Sequence, residues 1–232
     1  MADYQRIYDH HADAYDALVS REDHEANLLS ALRELVPAEP FDLVETGAGT
    51  GRVTMLLAPL ARSVRAFDRS AHMLSVAREK ASARGFSHVG FDVASHDALP
   101  VEDASADLAV EGWAFGHAVG WNPSGWVAEV EANIQELARA ARPGAKVVLI
   151  ETMGTGVEAP FEGGHALEPF HRHLVSEMGF SHRCVRTDYA FESVDEAVDR
   201  AGFFFGERMA GRVRARAWRV LPEFTGIYWR TR

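Results

Sequence analysis

The chain has 232 residues, 47% of them hydrophobic and 25% charged, which excludes a disordered protein and suits one packed domain over 1–232. Its 34 acidic residues against 24 basic ones give a formal charge of −10, a field that repels a long phosphate backbone, so no nucleic-acid partner is expected. A lone cysteine, Cys184, excludes an internal disulfide and a thiolate metal cluster; with neither a basic-then-apolar leader nor an apolar run of the roughly 18 residues a membrane span needs, a cytoplasmic protein is expected.

Residues 1–37 carry Tyr4, Tyr8, His10, His11 and Tyr15. From Asp23 onward Leu28, Leu29, Leu32, Leu35 and Val36 recur at helical spacing and stop before Pro37. A short apolar run over 41–44 reads as a strand, the glycines after it as a tight loop, and Val53, Leu56, Leu57 and Leu60 as a helix. A second strand over 63–67 ends at Asp68, and a helix over 70–84 follows it until Gly85. Residues 89–93 and 107–110 give a third and a fourth strand. A helix over 127–142 and the Pro143-Gly144 turn then lead into an apolar strand over 146–150. Strands alternating with helices through short connections imply a doubly wound α/β fold with a mostly parallel sheet covered on both faces.

After Met153 the pattern changes. Residues 154–164 read as a glycine-containing loop and 165–178 as an extra helix, so 153–182 is expected to be a helical insertion walling the substrate side. In 183–232, Ser193-Val194-Asp195-Glu196 is a capping-box signature for a helix running toward Phe205. Segments 218–220 and 225–229, flanking Pro222-Glu223, read as closing strands on an antiparallel edge.

The strongest chemical signal is Glu45-Thr46-Gly47-Ala48-Gly49-Thr50-Gly51, set between a strand and a helix. Glycines there let the backbone approach a ligand, and the next helix offers unpaired N–H groups. A dinucleotide loop spaces its glycines G-x-G-x-x-G, whereas here the third arrives one residue early and Arg52 takes the sixth place. That weakens, as an alternative, an NAD-dependent oxidoreductase.

The motif resembles that of the class I S-adenosylmethionine-dependent methyltransferases of small-molecule type, an acidic residue followed by G-x-G-x-G. The resemblance covers 41–152, the expected cofactor-binding core. It implies a seven-stranded Rossmann-like sheet and S-adenosyl-L-methionine as cofactor, leaving as S-adenosyl-L-homocysteine. It also implies methyl transfer to an oxygen or nitrogen of a small molecule. By the same resemblance Glu45 lies near the cofactor's ammonium, and Gly47, Ala48, Gly49 and Gly51 wrap its methionine and ribose.

Asp68 ends the second strand, where two acceptor oxygens suit both hydroxyls of a ribose. The resemblance makes it the ribose acid, with Arg69 and Met73 beside it. Asp97 and Ala98, in the segment 95–100, match the family's adenine-binding stretch. Glu111, Gly112 and Trp113 open the loop where the family sets donor against acceptor. Trp113, Trp121 and Trp126 offer aromatic walls. Related enzymes carry a sequence like 8–16 as a lid, and Tyr8 and Tyr15, seven apart, would share one helix face.

Should the acceptor need to lose a proton, His117 and His165 are the candidate bases, histidine being the side chain suited to that near neutral pH. No metal site is expected, since His171 and His173 at i, i+2 do not face one another on a helix. Arg212, Arg214, Arg216 and Arg219 form a basic run, either a polar face or a guide for an anionic substrate. A non-catalytic S-adenosylmethionine-binding regulator is the remaining alternative.

Overall fold

The computed structural model describes residues 4–38, 40–162 and 164–232. The chain passes through α1 (Tyr4–His10), α2 (Ala12–Val19) and α3 (Asn27–Arg33). It then enters β1 (Phe41–Thr46), α4 (Arg52–Leu57), β2 (Ala61–Asp68), α5 (Ala71–Ala83), β3 (Val89–Val93) and β4 (Ala106–Gly112). It continues through α6 (His117–Trp121), α7 (Trp126–Ala140), β5 (Ala141–Thr155), α8 (Glu168–Ser176), β6 (Ser181–Arg186), β7 (Tyr189–Ala190), α9 (Val194–Phe205), α10 (Glu207–Arg216), β8 (Val220–Leu221) and β9 (Glu223–Thr231).

Seven strands form one sheet in the order β3-β2-β1-β4-β5-β9-β6. β1 pairs in parallel with β2 on one side and β4 on the other, and only β9 runs against its neighbours. Successive residues of a central strand enter opposite cores, as the strand period of two requires. Leu43, Leu108 and Val148 pack with α3, α4 and α5, whereas Val44, Ala109 and Val147 pack with α7 and α8. Each helix shows why it forms: α7 buries Val130, Ile134 and Leu137 on one stripe. The Ser70 hydroxyl caps α5 by accepting from the Met73 N–H at 3.3 Å. The Ser193 cap expected on α9 is present, its hydroxyl accepting from the Glu196 N–H at 3.0 Å, while the Glu196 carboxylate reaches one residue past the cap and accepts from the Glu192 N–H at 2.7 Å.

The doubly wound, mostly parallel sheet is the one the alternating pattern implies, and its reversed strand lies toward the C-terminal side. Four details differ. Segment 218–220 does not form a hairpin with the last strand; β8 pairs with β7 in a separate two-stranded ribbon, and β9 crosses to lie between β5 and β6. The helix expected over 165–178 is shorter, and with β6 it makes a crossover from β5 back to the same sheet. The bulkier addition is 187–222, where α9 and α10 bury Ala197, Ala201, Ala210 and Val213 against Leu18 of α2. The N-terminal segment is three short helices. Asp23 is not the first turn of α3: its carboxylate accepts from the Leu28 N–H at 3.1 Å, so the helix begins at Asn27. Among the described residues, no helix is long and apolar enough to cross a membrane.

Candidate active site

β1 and β4 are neighbours, but their chains leave the sheet in diverging directions, and a crevice opens at their carboxyl ends. The turn after β1 borders an open cavity of about 760 Å³, its mouth included. Gly47 and Gly51 hold left-handed φ of 69° and 81°. A Cβ on Gly47 would fall 2.5 Å from the Ala114 Cβ, so only glycine lets the β1 and β4 loops close on each other.

Asp68 fixes the turn from the side of β2. One carboxylate oxygen accepts from the Gly49 N–H at 2.8 Å and the other from the Ser70 N–H at 2.8 Å, with lone pairs left for a ligand. Glu45 lines the cavity from beneath, its carboxyl accepting from the Thr54 hydroxyl at 2.6 Å; burial pushes it up to about 8. Thr50 also lines the cavity, and its hydroxyl is buried without a partner among the described residues. Arg52 stacks its guanidinium 3.5 Å from the centre of the Trp113 ring and pairs with Glu22 at 2.6 Å. An unpartnered hydroxyl, a carboxylate with spare acceptors, and a cradle that a Cβ would fill together fit a polar nucleoside-like ligand.

The lid is built from two helices. Tyr8 ends on α1 and Tyr15 sits on α2, separated by the break at His11, so they do not share a helix face; their rings nevertheless meet edge-on at 5.5 Å over the cavity. The Tyr8 hydroxyl lies 2.9 Å from His117 Nε2. His117 stacks on Trp121 at 4.5 Å, and the Arg69 guanidinium lies 4.8 Å from the centre of that indole. Burial drops the His117 ring to about 4, assisted by the Arg69 guanidinium, so it is neutral at pH 7.

Of the residues expected at the site, Tyr8, Tyr15, Glu45, Gly47, Ala48, Gly49, Asp68, Arg69, Met73, Gly112, Trp113, His117 and Trp121 line this one cavity. The others stand elsewhere. Gly51 faces Ala77, 3.2 Å from where its Cβ would be, and serves the packing of α4 on α5. Asp97 and Ala98 are exposed: the Ser95–Ala98 bridge turns them outward, and the Asp97 carboxylate accepts from the Ser95 hydroxyl. His96 points inward in their place, its Nδ1 2.8 Å from the Thr46 hydroxyl. His165 lines a different cavity, because β5 runs on to Thr155 and the chain then leads away. Trp126 packs on Phe170 and His173 rather than on the site.

Glu111 is fully buried and does not line the cavity. It accepts from the Ala114 N–H at 2.5 Å and the Phe115 N–H at 3.1 Å, thereby holding the loop after β4. Glu151, within β5, does the same for the Gly116 N–H at 2.7 Å. Sequence reasoning missed His96, Thr50, Arg52 and Glu151; only Arg52 and Thr50 had a signal, being inside or beside the glycine motif.

A family model described as a methyltransferase domain matches residues 44–149, the stretch that builds this crevice. Residues 44–149 form a class I, S-adenosylmethionine-dependent methyltransferase domain. Similar proteins include a ubiquinone/menaquinone biosynthesis C-methyltransferase of Rubrivivax gelatinosus, 29% identical over 52% of this chain and 43% of its own length. A malonyl-[acyl-carrier protein] O-methyltransferase of Salmonella typhimurium is 27% identical over 62% of this chain and 51% of its own length. The chain thus spans about half the length of these two curated relatives. In fold it is similar to phosphoethanolamine N-methyltransferase 2 of Haemonchus contortus, solved with S-adenosyl-L-methionine. There the TM-score is 0.63 at 15% identity, covering 100% of this chain and 60% of that one. The methyltransferase domain takes S-adenosylmethionine as its cofactor, which sets the nicotinamide alternative aside.

Glu111 and Glu151 interact while fully buried: the Glu151 charge adds to burial in raising Glu111, whereas burial raises Glu151 and a hydrogen bond with Glu111 opposes it. Glu111 is pushed well above the carboxylate range and Glu151 up to about 7. Between the ordinary value of 4.5 and these raised ones, the folded chain keeps protons that the unfolded chain releases, so stability falls as pH rises across about 4.5 to 7. Urea unfolding at several pH values is expected to show this decline, and Glu151→Gln, which cannot ionise, to make it shallower, the raised carboxyls of Glu111 and Glu45 keeping their share.

Proposed function

We propose that this protein transfers a methyl group from S-adenosylmethionine to an oxygen or nitrogen of a small molecule held beneath α1 and α2. The observation that carries the reading is the convergence of Gly49, Asp68, Glu45, Tyr8 and His117 on one cavity at the carboxyl ends of β1, β2 and β4. The C- and O-methyltransferases among its relatives support a small-molecule acceptor. The hydrogen-bonding groups at the lid favour a polar acceptor atom.

Bound here, the cofactor supplies an electrophilic methyl on a sulfonium, and displacement at that carbon is served by alignment and exclusion of water. The protein's part follows from its own groups. Asp68, already gripping the Gly49 and Ser70 amides, turns its remaining lone pairs to the ribose hydroxyls. Glu45 takes the ammonium, and Arg52, backed by Trp113 and Glu22, offers positive charge for the carboxylate. Tyr8 and Tyr15 close the cavity against water. His117, neutral and fixed by Tyr8 and Trp121, presents a ring nitrogen to the acceptor and orients its hydroxyl or amine; its low basicity makes it an orienting group first and a proton acceptor second.

Incubating the protein with methyl-labelled cofactor and a panel of hydroxylated and aminated acceptors tests the reading. Turnover with any of them excludes the regulatory alternative; tight cofactor binding with no transfer to any acceptor would favour it.

Two further outcomes are expected. Asp68→Ala should weaken S-adenosylhomocysteine binding by about 1–3 kcal/mol in calorimetry, the scale of lost charge-assisted hydrogen bonds. Unchanged affinity would remove Asp68 from the ribose. Glu45, protonated in the free protein up to about pH 8, is expected to lose its proton to the solvent when an ammonium arrives beside it. Affinity should therefore rise with pH between about 5 and 8. The binding heat at pH 7 should vary with the ionisation enthalpy of the buffer, and Glu45→Gln should abolish both effects.

A further inference from the structure

A second cavity, about 1360 Å³ with its mouth included, lies between the 154–165 segment and α10. Among the described residues it shares no lining residue with the first. Two consecutive side chains of α9 stand between the two: Phe204 packs on Tyr4 and Tyr15 of the lid, Phe205 lines the second cavity, and their rings meet edge-on at 5.0 Å.

Its chemistry is two-sided. Val157, Phe161, Phe205 and Met209 give it an apolar wall. Arg208, Arg212 and Arg216, spaced four apart, project from one face of α10 into the same space. In a chain of net charge −10 this is a concentrated positive field, and α10 itself has a single acid, Glu207, in its first turn. The arginines are poorly neutralised. Arg212 is held by the Gly156 carbonyl, a neutral acceptor. Arg216 reaches Glu158 only at 3.4 Å on the surface, and Arg208 has no hydrogen bond or ion pair with any described residue. The other acid on the rim, Glu162, turns one oxygen to the Glu158 N–H at 2.6 Å and keeps its charge, so the described lining sets three guanidinium groups against two carboxylates. Like charges stacked along one helix face repel, and a guanidinium fork is matched by a carboxylate or a phosphate.

We propose that this cavity is a second binding site, for an amphipathic anion: a carboxylate or phosphate head on Arg208, Arg212 and Arg216, joined to a short apolar body against Phe161, Phe205 and Met209. The site stands apart from the cofactor crevice and does not depend on the methyl-transfer reading.

The protein carries its own reporter, since the Arg212 and Arg216 guanidinium groups lie 5.7 and 5.2 Å from the centre of the Trp218 ring. Octanoate and octyl phosphate are titrated into the full chain, with octanol and acetate as controls, followed by calorimetry and tryptophan fluorescence. Both octyl anions are expected to bind saturably and at least about tenfold more tightly than octanol or acetate. Arg208→Gln, an exposed and unpaired position, should weaken them about tenfold while leaving S-adenosylhomocysteine affinity unchanged. Trp218→Phe should remove the fluorescence response and keep the binding heat. Octanol binding as well as octanoate, undiminished binding in Arg208→Gln, or a fluorescence response that survives Trp218→Phe would each overturn the proposal. Failure to bind S-adenosylhomocysteine would strike the methyl-transfer reading alone.

Discussion

The position of β1, paired in parallel with β2 on one flank and β4 on the other, governs everything at the site. Chains leaving the two central strands must part, so the space between their loops cannot be filled by the helices that cover the faces. The glycine turn, the Asp68 carboxylate and the loop after β4 are what the sequence places around that gap. Asp68 couples two of them directly, because the same carboxylate that ends β2 grips an amide of the turn after β1.

Burial then sets the charge states around the gap. Acids such as Glu45, Glu111 and Glu151 are pushed upward and the bases His96 and His117 downward, so both kinds drift toward neutrality. Glu111 and Glu151 each turn one oxygen, Oε1, to backbone amides of the loop that carries Trp113 and His117. Trp113 itself sits at φ 54°, a left-handed conformation costly for a bulky residue, and is held there by its amide bond to the Ile150 carbonyl at 2.7 Å and by Arg52 against its ring. The loop is thus pinned from two strands while its aromatic face stays toward the cavity.

What the sequence made legible follows from how much each residue buries. β1, β4 and β5 read clearly because both faces are covered and the apolar run is continuous, and the glycine motif announced the turn. β6 went unread because Ser181–Arg186 is an edge strand with little buried surface, so neither an apolar run nor an alternation marks it. α10 went unread for a similar reason: only Ala210 and Val213 are buried, and the arginines look like a strand face or a tail as readily as a helix. At the site, the residues that a motif or the family resemblance marked were found, Tyr8, Tyr15 and His117 from distant segments among them; Thr50 and Arg52 lay unclaimed in or beside the glycine motif, and His96 and Glu151 carried no signal of their own. Asp97 and His96 are neighbours in the chain, and a single residue of register decided which one faces the ligand.

The order of the sheet also bears on how the chain assembles as it is made. β9 lies between β5 and β6, yet it is synthesised after both. Until it arrives, β5 presents a long unpaired flank, and β6 has no partner to hold it in the sheet. A nascent molecule therefore carries a sticky, strand-shaped gap that only its own later segment fills, a period during which protection by a chaperone would matter more than the stability of the finished fold.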